Sequence, residues 1–247
     1  MPVAGMLGKK VGMTQLFDER GDVRPITVLQ AGPCVVTQKK TAAKEGYDAV
    51  QVGLVEFVKG KNITKPMQGH FTKNNLPPVK YLKEFAVLAA EGQTPEQAAE
   101  TVKVGDKVLV DIFADEKYVD IIGVSKGRGF AGVVRRHNFG GGPKSHGHMF
   151  QVQGSIGSSS FPSRVFKGMR MPGHMGQDKV TVRNLRIVGI DIDENLLMVE
   201  GAVPGHADAY VVISKAKRPP RERRGFAGST TVDPLKAAKK AAAGKKK

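Results

Sequence analysis

The sequence predicts a mainly β protein: a barrel or sandwich body, a long irregular basic loop set into it, and a basic C-terminal tail. Three observations carry this. Short β-branched runs recur between turn residues on both sides of one glycine-rich stretch. That stretch holds no carboxylate between Asp120 and Asp178. Beyond Ser214 the chain carries 12 basic and 2 acidic side chains.

The body is predicted over 1–124 and 178–214, with a small insertion near 60–105. Residues 23–30, 35–38 and 49–54 are β-branched runs bounded by Gly, Pro and Asp, as strands require. Residues 107–113 and 118–124 read as a hairpin joined at 114–117. Residues 180–192, 196–203 and 210–213 continue the strand pattern. A short helix is expected after Thr94, where an N-cap, Pro95 at the first helical position and Gln97 of a capping box stand in order. Many short strands with regular turns fit a closed sheet.

Residues 125–177 follow no helical or strand period and cannot build a core. A loop of that length is expected in a compact domain only if it serves a function. The tail, 215–247, reads as a disordered basic arm, with 234–243 able to become helical on a partner.

The net charge of +16 over 247 residues and a pI of about 9.9 fit a polyanionic partner. Composition alone leaves RNA, DNA and anionic lipid open. The distribution is more informative. Residues 1–120 hold 16 basic and 15 acidic side chains, whereas 121–177 hold 8 basic and none acidic. A solvated loop mixes signs. A segment lying against phosphates cannot, because a carboxylate there is repelled and unpaired. No apolar run spans a bilayer, and the first residues show no secretory pattern. Cys34 is alone, which excludes an internal disulfide and fits a buried thiol in a reducing compartment.

Within the basic segment Lys126, Arg128, Arg135, Arg136, Lys144, Arg164, Lys167 and Arg170 are candidate phosphate ligands. His137, His146, His148 and His174 are candidates to stack on bases or to bond phosphate and ribose. Their spacing matches no zinc pattern, so no metal is expected. Phe130, Phe139, Phe150, Phe161 and Phe166 interleave with the cations, as stacking combined with phosphate pairing requires; some of them instead pack on the protein. Gly127–Gly132 satisfies G-x-G-x-x-G, but no acidic residue follows about 20 positions on, which excludes a dinucleotide fingerprint. Serine and histidine occur here without a carboxylate to orient a base, so no catalytic residue is expected, and no cofactor or small-molecule substrate.

Phe113, Asp120, Gly123, Ser125, Gly127, Arg128, Gly129, Gly132 and Arg136 stand at spacings that resemble the signature of the large-subunit ribosomal protein L3 family, bacterial type. The opening Gly5-Met6-Leu7-Gly8-Lys9-Lys10-Val11-Gly12-Met13-Thr14 is similar to that family's N-terminus. Gly69-His70-Phe71, Gly154-Ser155-Ile156-Gly157, Val165-Phe166-Lys167-Gly168, Met171 to Gly176 and Asn195 to Gly205 also resemble it, in order, over about 4–214. The resemblance implies a translation-protein-type β-barrel whose long loop enters the RNA of the large subunit. It adds Lys9 and Lys10 to the expected RNA-binding residues. It implies binding near the 3′ end of 23S-type RNA, a role in early assembly, a cytoplasmic location, and neighbours among the ribosomal proteins numbered fourteen and nineteen. It also places the uncharged tip, Gln153, Gly154, Ser155, Ile156, Gly157, Ser158, Ser159 and Ser160, near the peptidyl-transferase centre. Many bacterial members carry a methylated glutamine where this chain has Ser160. A free-standing RNA or DNA chaperone is the alternative function.

Overall fold

The computed structural model describes residues 1–18, 21–88 and 101–220. Six antiparallel strands close into a barrel. They are β1 (Gly5–Phe17), β2 (Val23–Ala31), β7 (Tyr118–Val124), β10 (Lys179–Asp191), β11 (Leu196–Glu200) and β12 (Tyr210–Lys215), in the order β1-β12-β7-β10-β11-β2. A second sheet has the order β5-β4-β3-β6, from β3 (Cys34–Lys40), β4 (Ala49–Leu54), β5 (Leu82–Ala86) and β6 (Lys107–Val108). The expected mainly β barrel with a loop extension is therefore the fold.

One apolar cluster joins the two sheets. Met6, Leu29, Ile121, Leu197 and Ile213 come from the barrel, and Val36, Val50, Val52 and Phe85 from the second sheet. Phe113 is fully buried among them. A polar clasp reinforces this junction. Glu56, just after β4, accepts from Lys9 of β1 and from the Tyr210 hydroxyl of β12. Tyr81 stacks on Tyr210 with ring centroids 4.9 Å apart. Burial works against ionisation of Glu56, but Lys9 and Tyr210 outweigh it and hold the carboxyl below its usual range.

Three local expectations change. Residues 107–113 and 118–124 do not form a hairpin. Val108 pairs with Cys34 in the second sheet, Val110–Phe113 forms a 3-10 turn, and β7 enters the barrel. An apolar run shows that a segment is buried but not which sheet takes it. Strand β1 is a 13-residue strand that the glycines of the opening hide from its sequence pattern. A Cβ at Gly5 would meet the Ile213 carbonyl oxygen at 2.2 Å, and one at Gly8 the Gln30 oxygen at 2.5 Å, so close strand contact demands glycine at both. Finally, the 60–105 region belongs partly to the body: β5 completes the second sheet, and helix α2 (Lys65–Thr72) buries Phe71 against Val35 and Val79. The helix expected after Thr94 and the tail beyond residue 220 lie outside the described residues.

Candidate nucleic-acid interface

The basic loop leaves the barrel at the end of β7 and returns at the start of β10. These are neighbouring strands, with Val124 opposite Lys179. Both ends of the loop are tied down. The Ser125 amide donates to the Asp178 carbonyl (2.8 Å), and the Asp178 amide returns a bond to Ser125 Oγ (3.1 Å). The Arg128 amide donates to the Met175 carbonyl at 2.8 Å. A two-stranded ribbon follows, β8 (Gly129–Ala131) against β9 (Gly173–Met175). Gly176 allows the two chains to meet: its φ is +80°, and a Cβ there would lie 2.2 Å from the Lys126 carbonyl oxygen.

After β8, helix α3 (Val133–His137) folds back on the ribbon. Its Arg136 Nη1 donates to the Met171 carbonyl at 2.7 Å, and His137 Nε2 stands 3.2 Å from the same oxygen. Gly173 makes room for this guanidinium, since a Cβ there would be 2.7 Å from Nη1. The result is an open recess of about 550 Å³ lined by Ser125, Lys126, Arg128, Arg136, His137, His174, Met175, Gly176 and Asp178. Five expected site residues, Lys126, Arg128, Arg136, His137 and His174, therefore converge, although up to 48 positions separate them in the chain.

The remaining loop candidates spread out. Arg135, Lys144, His146, His148, Lys167 and Arg170 are exposed without joining the recess. Arg164 lies over the Phe166 ring at 5.5 Å, a cation–π contact between two exposed side chains. Phe130 and Phe161 are 80% and 88% exposed, Phe150 and Phe166 are exposed, and only Phe139 is half-buried, beside His137. Among the described residues of 125–177 only Ala131 and Val133 are buried. The tip from Gln153 to Ser160 is held by short-range bonds, such as Ser155 Oγ to the Gly157 carbonyl at 3.0 Å. None of the loop's arginines and lysines forms an ion pair among the described residues.

Lys9 and Lys10 do not line the recess. Lys10 is buried, and its ammonium donates to the Val203 carbonyl at 2.8 Å and the Gly205 carbonyl at 3.4 Å. Burial and the neighbouring Lys126 charge lower its pKa. Lys9 is committed to Glu56. Adjacent residues of a strand face opposite ways, so the two lysines meet different groups of the protein. Asp120, named above in the family signature and as the border of the acid-free stretch, has a structural role that its sequence position does not reveal. It is a buried carboxylate that accepts from the Asn184 amide at 2.8 Å, where the register of β10 shifts against β7.

The model of the family described as Ribosomal protein L3 matches residues 89–194. A protein of Koribacter versatilis named large ribosomal subunit protein uL3 is 70% identical over 244 residues, covering 99% of this chain and 100% of that protein. This chain belongs to the ribosomal protein L3 family. A relative of the same name from Solibacter usitatus is 52% identical over 87% of this chain and 99% of its own length. Another, from Herpetosiphon aurantiacus, is 47% identical over 87% of this chain and 97% of its own. L3 proteins are structural components of the ribosome and not enzymes. The family-matched region contains the whole basic loop, so the acid-free segment is also part of what the family model matches.

Proposed function

We propose that this protein is a constituent of the large ribosomal subunit in the cytoplasm that binds 23S-type RNA directly through residues 125–177. One observation carries this: eight cations on a segment without a carboxylate, none of them neutralised within the described protein. Cations left unpaired on a segment with almost no core fit a polyanion that supplies both their counter-charge and their order. Lys126, Arg128, Arg135, Arg136, Lys144, Arg164, Lys167 and Arg170 meet phosphates. His137, His146, His148 and His174 contact bases, ribose or phosphate.

The barrel anchors the loop, whose uncharged tip approaches the peptidyl-transferase centre. Binding lies near the 3′ end of the RNA and helps to nucleate subunit assembly. The neighbours are the ribosomal proteins numbered fourteen and nineteen. A protein neighbour fits the outer part of the β1–β2 hairpin. There β1 pairs only with β2 past Lys9, and Met13, Leu16, Phe17 and Val23 are exposed.

Sedimentation of cell extract tests the proposal. Co-migration with large subunits that survives a high-salt wash is expected. Release into the free protein fraction at moderate salt would point instead to a free-standing RNA chaperone.

A further inference from the structure

On the ribbon at the loop base, Phe130 of β8 stands directly opposite His174 of β9. Directly opposed residues of antiparallel strands project on the same face. Both rings are open to solvent, Phe130 at 80%. His174 also lines the cationic recess with Lys126, Arg128 and Arg136. His174 thus stands across the ribbon from Phe130 and also lines the cationic recess.

We propose that the loop base seats one unpaired nucleotide of the RNA, its base against Phe130 and His174 and its phosphate in the recess. This rests on the RNA-binding function proposed above and specifies which form of RNA is recognised there. Bases inside a helix have both faces covered by their neighbours. Only an unstacked base offers a face to a protein ring. A double-helical backbone would satisfy Lys126 and Arg128 but would leave Phe130 in water.

Two further features fit a nucleotide rather than diffuse charge attraction. The recess, about 550 Å³, lies in the size range of small-molecule sites. Arg136 does not swing free, because the Met171 carbonyl and the bare backbone of Gly173 hold its guanidinium in place.

The test uses the full-length protein and two RNA hairpins with the same loop and equal numbers of phosphates, one with a fully paired stem and one with a single bulged adenosine in its stem. Fluorescence anisotropy at fixed salt gives both affinities. The bulged hairpin is expected to bind about 5- to 100-fold more tightly, the range for one base stacked on an aromatic ring. Phe130→Leu should remove that preference, read as the ratio of the two affinities. Gly173→Ala, which keeps the net charge but displaces Arg136, should weaken the bulged hairpin selectively. Equal binding of the two hairpins by the wild type, or an unchanged preference in Phe130→Leu, overturns the proposal. Binding of neither hairpin also overturns it. Large-subunit RNA as a third probe then shows whether RNA binding itself has failed.

Discussion

The barrel and the basic loop treat the same side chains in opposite ways. In the body, cations find partners. Arg24 reaches Asp18 at 2.7 Å and Glu200 at 3.0 Å, Lys40 reaches Glu84 at 2.7 Å, and Lys215 reaches Glu116 at 3.1 Å. Even the buried Lys10 is satisfied by carbonyls. In the loop, Arg135, Lys167 and Arg170 form no ion pair among the described residues, and the segment itself contains no carboxylate. The excess positive charge of the loop therefore follows from absent acids more than from the number of bases. Residues 1–120 have twice as many basic residues as 121–177 and almost no excess charge.

The largest expected difference between the two regions is in stability. Phe113→Ala, at a fully buried ring, should cost about 3–5 kcal/mol in urea denaturation. Arg135→Gln, on an exposed loop side chain, should stay within about 0.5 kcal/mol. If the loop variant destabilised the protein comparably, the loop would be part of the body's cooperative unit and the contrast would collapse.

RNA binding should reverse this ranking. Replacing Arg164, Lys167 and Arg170 together with Gln should flatten the slope of log affinity against log salt by roughly 2–3 units. The same change at Lys59 and Lys73, exposed lysines of the body, should move the slope by less than about one unit. Equal slopes for the two sets would show that the RNA responds to total charge and not to the loop.

Proton linkage sharpens the comparison from the side of the body. Cys34 is buried with its thiol directed at the Leu7 carbonyl, and burial pushes its pKa up to about 12. Burial, with the bond to Glu56, likewise raises Tyr210 to about 12. Both groups ionise earlier in the unfolded chain. Their contribution is thus complete below pH 9 and is lost as pH rises toward 12. The urea midpoint should fall through that window, and less steeply in Tyr210→Phe. Glu56 acts at the other end: its lowered pKa gives stability above the ordinary carboxylate range that is lost as pH falls through the folded value. Thiol reagents should leave Cys34 unmodified in the native protein at neutral pH and label it after denaturation.

The smallest structural effect is expected at the tip. Gly154→Asp or Ser160→Arg should leave subunit assembly nearly intact, since barrel and flanking cations still dock. Peptide-bond formation by purified mutant ribosomes, or its sensitivity to inhibitors of that centre, should change. Wild-type behaviour in both assays would make the tip an ordinary solvent-facing turn.

Much of this protein follows from residue order alone. The runs that became β2, β3, β4, β7, β10, β11 and β12 alternate or cluster β-branched residues, and that local property survives in any context. The charge asymmetry of the loop is equally local, because a missing carboxylate is missing in every conformation. Tertiary structure decided what depends on proximity. It chose the sheet that Val108 joins, and turned Lys10 inward to the carbonyls of Val203 and Gly205, nearly two hundred positions away. It also used the short β8–β9 ladder to carry His174 back beside Arg128 and Phe130. Sequence order limits which side chains are available, but convergence needs chain closure, whose partners lie too far along the chain for any local pattern to record.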